Sequence, residues 1–251
     1  MKSILRSTLL PLHLTFLVAS ASAAVYTSGH GDLGVGYAAG EFDLHVHLHQ
    51  GAVVDGSPLL TDTEFEAGDI HIFVPNPSVP RPGNPAFNAL GITSGQPLWF
   101  LPKSQVPTKP FLGIASEELT PADWTGNIQL RLTAVSGSGV DAGGFVTLWD
   151  TDTFGEPEFL WTSFGGLDAT DTLTSITGSH AHFNFGFTKP GLYDLTVEAT
   201  GLHKVDGAIS TTGTFQFAVV TPVPEPTTGL WGLTMLGFAA TSRLRRRPDT
   251  V

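Results

Sequence analysis

The sequence predicts an all-β fold, an antiparallel β-sandwich with long loops rich in Pro and Gly. Three observations predict it. Apolar residues recur at every second position in a series of short segments, which is the alternation of half-buried strands. Clusters of Gly, Pro, Asp, Ser and Thr separate those segments, and such residues build turns. Between residues 24 and 220 no stretch of a dozen residues carries a helical stripe.

In chain order, residues 1–23 read as a secretory signal peptide. Lys2 and Arg6 give a positive start, residues 9–19 are apolar apart from His13 and Thr15, and Ala21, Ser22 and Ala23 form an A-x-A cleavage site. The apolar run is well short of the roughly 20 residues that a membrane span needs. The mature chain is therefore expected to start at Ala24 and to be exported. Strands are expected at residues 41–49 (EFDLHVHLH), 127–135 (NIQLRLTAV), 144–149 (GFVTLW), 181–187 (AHFNFGF), 192–199 (LYDLTVEA) and 213–220 (GTFQFAVV). His71 lies in a further strand-like run, GDIHIFVP at 68–75, with a structural role. Residues 115–123 hold one candidate helical turn, with Ser116 as the cap of a Glu-rich segment. Residues 75–110 are Pro-rich and weakly periodic, yet Phe87, Trp99 and Phe100, with Phe111 just beyond, read as an ordered excursion packed on the sandwich. His203, in GLHKVDG at 201–207, reads as part of a hairpin turn. Residues 24–220 thus make one domain with its own core.

Residues 221–251 carry a second signature. A Pro-rich break, TPVPEPT, leads into the apolar residues 229–240, and Arg243, Arg245, Arg246 and Arg247 follow at once. An apolar segment closed by a basic cluster is a stop-transfer arrangement, and this one is short for a permanent span.

The chain has no cysteine, which excludes disulfides, thiolate metal sites and a Cys nucleophile. Residues 24–220 keep six basic residues against 21 acidic ones, a net charge of about −15. That balance argues against nucleic acid, whose binding rests on Lys and Arg neutralising phosphates, and is compatible with cations or with a solubilising surface. No G-x-S-x-G or H-E-x-x-H is present, so neither a nucleophile elbow nor a zincin helix is indicated. DTDTFG at 150–155 resembles the start of a calcium loop but lacks the full ligand spacing, and reads as a turn.

The histidines carry the chemistry. His45, His47 and His49 occupy alternate positions of one strand and so share a face, while Phe42, Leu44, Val46 and Leu48 take the other. Same-face neighbours along a strand lie roughly 6.5–7 Å apart, so two imidazoles can close on one ion and three fit less easily. His180 and His182 form a second pair of the same kind, and His30 stands beside Asp32. Imidazole with carboxylate suits Zn²⁺, with other first-row divalent metals possible. The metal reading of 45–49 depends on the strand of His180 and His182 lying against it.

Two resemblances add to this reading. The tail, with Pro224, Glu225 and Pro226, the apolar stretch and Arg245, Arg246 and Arg247, resembles the PEP-CTERM sorting signal of Gram-negative bacteria. That resemblance implies transient anchoring in the inner membrane, cleavage near Pro-Glu-Pro by an exosortase-type protease, and delivery to the cell surface or extracellular matrix. The domain carries GHGD at 29–32 with Tyr37, LWFLP at 98–102, FLGIASEE at 111–118, HAHFNFGFTKPGLY at 180–193 and TFQFAV at 214–219. These residues, spanning nearly all of 29–220, resemble the choice-of-anchor M domain, a surface-anchored type found with metal ABC transporters in actinobacteria. His30, His180 and His182 match the family's histidine positions. Phe185 stands where the family usually has Trp, and the 45–49 run is richer in histidine than the family pattern.

Together these features predict a non-catalytic, surface-displayed protein that binds a divalent metal, Zn²⁺ first, through His30, His180, His182 and some of His45, His47 and His49. Its expected partners are the processing protease and either extracellular polysaccharide or a metal ABC transporter. A structural or adhesive matrix protein with incidental histidines is the alternative. A metal-dependent hydrolase, with Asp32 or Glu41 as base, is the remote one.

Overall fold

A computed structural model describes residues 23–220. The expected signal peptide, save Ala23, lies outside the described residues, as does the expected sorting signal with Pro224, Glu225, Pro226, Arg245, Arg246 and Arg247. Strand takes 55% of the described residues and helix 7%, so the fold is mostly β. Among the described residues no helix is long and apolar enough to cross a membrane.

The strands in chain order are β1 (Ala24–Ala38), β2 (Glu41–Leu48), β3 (Val53–Val54), β4 (Ser57–Pro58), β5 (Thr63–Glu66), β6 (Ile70–Val74), β7 (Val79–Pro80), β8 (Pro97–Leu101) and β9 (Pro110–Ala115). They continue with β10 (Ile128–Ser136), β11 (Val146–Thr151), β12 (Pro157–Thr162), β13 (Thr172–Ser175), β14 (His180–His182), β15 (Asn184–Phe187), β16 (Gly191–His203) and β17 (Gly207–Val219). The only α-helix among the described residues is the short α1 (Ser138–Asp141).

One sheet has five strands in the order β12-β11-β15-β8-β7, all antiparallel. The larger sheet follows β13-β10-β16-β17-β6-β1-β2-β5, with β9 and β14 branching from β1. It is mixed, which corrects the expectation of a wholly antiparallel fold. β6 runs parallel to both β1 and β17, and β9 runs parallel to β1. Parallel neighbours come from distant parts of the chain, so short-range alternation cannot reveal them.

Both sheets feed one core. Leu101, Val146, Leu148, Trp161, Phe185 and Phe187 come from the smaller sheet, and Ile72, Leu132, Val197, Phe215 and Phe217 come from the larger one. Phe217 meets Phe185 and Phe187 with ring centroids 5.8 and 5.2 Å away. The other side of the smaller sheet is covered by the 75–110 excursion. Its 3-10 helix Pro85–Leu90 packs Leu90 and Phe87 on Trp149 and Phe159.

Two local expectations are corrected. Residues 181–187 are not one strand: the chain leaves the larger sheet after His182 and enters the smaller one at Asn184. Ser116 caps no helix; its buried hydroxyl donates to the Ile176 carbonyl, 2.9 Å away, and the 3-10 turn comes later at Pro121–Asp123. The 150–155 segment ends β11 and turns after Thr151, where Asp152 Oδ1 accepts from the backbone N–H of Phe154 and Glu156. His71 sits within β6, and His203 ends β16 with its Nδ1 2.7 Å from Asp206 Oδ2.

Strand β1 serves two parts of the larger sheet. Its start pairs with β6 and β3, and its end pairs with β2 and β9. Gly29 stands at the change, with φ +93° and no room for a Cβ against the Ala52 backbone. That switch brings His30 and Asp32 into line with β2 and β9.

Candidate metal centre

Strands β14, β9, β1, β2 and β5 lie side by side. Their register sets His182 opposite Gly113, Gly113 opposite Asp32, Asp32 opposite His47 and His47 opposite Glu64. The neighbouring row runs His180, Ala115, Gly34, His45, Glu66. Residues opposite one another share a face, so one face gathers histidines and carboxylates from separate strands. The opposite face sends Leu33, Val35, Leu44, Val46, Leu112 and Ile114 into the core. Alternation in β1, β2 and β9 therefore fixes which side the polar set occupies.

The strand of His180 and His182 does not lie against that of His45, His47 and His49. Two strands, β9 and β1, stand between them. The bridge expected between the two H-x-H runs is instead made by His30 on β1. His30, His180 and His182 each offer a nitrogen, and these nitrogens lie within 4.8 Å of one another. Their ring centroids are 5.8, 5.1 and 5.5 Å apart. Three imidazoles on one tetrahedral ion place their centroids roughly 5 Å apart, given Zn–N bonds of about 2.0–2.1 Å. The spacing suits one ion.

Asp32 adjoins this corner through His30. It is 1% exposed, and its Oδ2 lies 3.4 Å from His30 Nε2 and 3.3 Å from His49 Nε2. Ligand atoms on a tetrahedral zinc are about 3.3 Å apart for bonds of about 2.0 Å, so His30, Asp32 and His49 form an overlapping ligand group. His49 stacks on His30 with centroids 4.1 Å apart. Asp32 Oδ1, His30 Nε2 and His182 Nδ1 are buried with no hydrogen-bond partner. Buried polar atoms are nearly always paired in proteins, and three orphans in one corner match a site built for a cation.

The surroundings hold these side chains in place. Glu117 Oε1 lies 2.5 Å from His180 Nδ1, which leaves the other ring nitrogen for a ligand role. A carboxylate behind a ligating histidine is the usual outer partner of a zinc site. Phe111 stacks on His182 at 3.7 Å between centroids. Gly113 has no space for a Cβ, which would fall on Asp32 Oδ1 and within 3.2 Å of His182 Cε1. Burial lowers the pKa of His30, opposed by Asp32, and that of His182, opposed first by a hydrogen bond with the Leu112 backbone and then by Asp32. The hydrogen bond to Glu117 raises that of His180. Neutral His30 and His182 are the ligand forms of imidazole.

The three histidines of 45–49 divide between groups. His45 and His47 join Glu64 and Glu118, and His47 and His49 also join Asp62. His45 is buried rather than solvent-facing. Asp62, Glu64, Glu117 and Glu118 were not singled out as site residues in the sequence. The alternation TEFE at 63–66 was a signal for β5 and the facing of Glu64; nothing local marked Glu117 and Glu118, which follow the end of β9.

No protein-family model, no curated protein and no solved structure matches this chain.

Proposed function

We propose that residues 24–220 form an exported, non-catalytic β-sandwich domain that binds a divalent metal, Zn²⁺ first, at the corner built by His30, His180 and His182 beside Asp32. One observation carries this reading: three imidazoles from two strands converge at centroid spacings of 5.1–5.8 Å beside a buried carboxylate with a free oxygen. A solvated histidine face needs no such convergence. Two sheets feeding one core support the sandwich. Export rests on the signal-peptide pattern of 1–23, and surface delivery rests on the tail's resemblance to the PEP-CTERM signal. Metal capture or metal-dependent organisation at the envelope is the role that joins these features.

The test is metal titration of the full chain, prepared without a His-tag and stripped with EDTA. Zn²⁺ should bind more tightly than about micromolar and raise the melting temperature by linkage. His180→Ala with His182→Ala should abolish binding at this corner. An unchanged melting temperature in excess Zn²⁺, with no bound metal after desalting, would leave the structural or adhesive reading in its place.

A further inference from the structure

The corner described above leaves His45, His47, Glu64 and Glu118 unused. Strands β14 and β2 are three strand spacings apart, about 14 Å at about 4.7–4.9 Å per spacing. An ion held by His182 is therefore out of reach of His47. We propose that His45, His47, Glu64 and Glu118 form a second divalent-cation site, on the β2–β5 side of the same face.

Several observations converge on it. The four residues each offer a ligand atom within 4.8 Å of the others. Glu118 Oε1 lies 2.9 Å from His45 Nε2 and 3.6 Å from His47 Nδ1, and Glu64 Oε1 lies 3.7 Å from the same Nδ1. These separations bracket the edge of about 3.3 Å expected for tetrahedral zinc with bonds of about 2.0 Å. His45 is 2% exposed, and neither of its ring nitrogens makes a hydrogen bond. Its Nε2 contacts Glu118 without a hydrogen bond and its Nδ1 has none, so the buried imidazole is left short of polar partners. An ion bound by both His45 and Glu118 makes up that shortfall.

The backbone beneath is cleared for these side chains. A Cβ at Gly34 would run into the His45 ring, and a Cβ at Gly36 would come within 2.8 Å of Glu118 Oε2. Glycine at both positions of β1 lets His45 lie flat and lets Glu118 reach back across the strand. The ligand class follows from the donors: two imidazoles and two carboxylates suit Zn²⁺ or another first-row divalent ion and disfavour soft monovalent metals.

This site stands on residues separate from the first, so each can fail alone. The experiment counts Zn²⁺ per chain by elemental analysis after equilibration and desalting, using the stripped, untagged full chain. Wild type should hold two ions. Glu64→Gln with Glu118→Gln should hold one, as should His180→Ala with His182→Ala, and the combined variant none. Glu64 and Glu118 are exposed, so the first variant should keep its fold, checked by circular dichroism; His47→Gln provides a second route to the same count. A wild-type count of one that Glu64→Gln with Glu118→Gln leaves unchanged would overturn the second site and spare the first. A count of two retained by that variant would overturn it equally.

Discussion

Asp32→Asn separates a metal corner from a polar cluster, because the two accounts give opposite signs in the stripped protein. Asp32 is 1% exposed, and its Oδ1 has no hydrogen-bond partner. The carboxylate lies buried with His30 Nε2 and His49 Nε2 at 3.4 and 3.3 Å. Asn keeps the shape and removes the charge. An unsatisfied buried polar group costs about 1–3 kcal/mol, and more when charged, so the stripped variant should be more stable than wild type by at least about 1 kcal/mol. In a domain of this size each kcal/mol moves the melting temperature by about 2–4 °C. With Zn²⁺ at about 100 times Kd, wild type should gain about 2.7 kcal/mol, or about 5–11 °C. Loss of the carboxylate beside His30 should weaken that affinity by the 10–100-fold typical of outer partners, shrinking the gain to about 2 °C or less when affinity falls 100-fold. Thermal melts with and without EDTA, at fixed pH and metal excess, read both numbers. A stripped variant that melts below wild type, together with an undiminished Zn²⁺ shift, would refute the reasoning.

Three further outcomes follow from the same geometry. Glu117→Gln removes the partner of His180 Nδ1, so Zn²⁺ affinity should drop about 10–100-fold and the His180 pKa, followed by NMR, should fall; an unmoved His180 titration would discount the contact. Gly113→Ala sets a methyl on Asp32 Oδ1 and should cost about 1–3 kcal/mol by overpacking while weakening metal binding; denaturant melts and titration check both, and a neutral result would show that the corner yields. The stripped chain should lose stability on acidification from about pH 6.5. Burial depresses the pKa values of His30, His71 and His182, so below the unfolded value the unfolded chain takes up protons that the folded chain resists. His180, raised by Glu117, works the other way: its contribution is present below the unfolded value and lost as pH rises through the folded one. Three groups against one favour a net fall in melting temperature between pH 7.5 and 5, and a rise would contradict it.

The period-two segments made most of the sheet legible, because alternation is local: β2, β6, β10, β11, β16 and β17 fall where the apolar residues alternate. β1 was hidden by its own glycines. Gly29, Gly31, Gly34 and Gly36 dilute the pattern; at Gly31, Gly34 and Gly36 the bare backbone leaves room for Leu48, His45 and Glu118. The glycines that obscured the strand also clear space for the side chains of the two candidate sites. His30, His180 and His182 could be named from their spacing and their resemblance to the choice-of-anchor M pattern. Glu117 and Glu118 could not, since their partners lie 63 and 73 residues away in sequence, and parallel pairing of β9 with β1 is what delivers them. The split at Phe183 was equally invisible, because a strand that changes sheet keeps its alternation.

The central claim is that His30, His180 and His182 share one ion, with Asp32 beside it. Zinc K-edge absorption of the Glu64→Gln, Glu118→Gln chain, loaded with one equivalent of Zn²⁺, tests it most directly. The account predicts a four-coordinate shell with bonds near about 2.0–2.1 Å and the multiple-scattering signature of three imidazoles. A shell of oxygen alone, or one imidazole with waters, would contradict it.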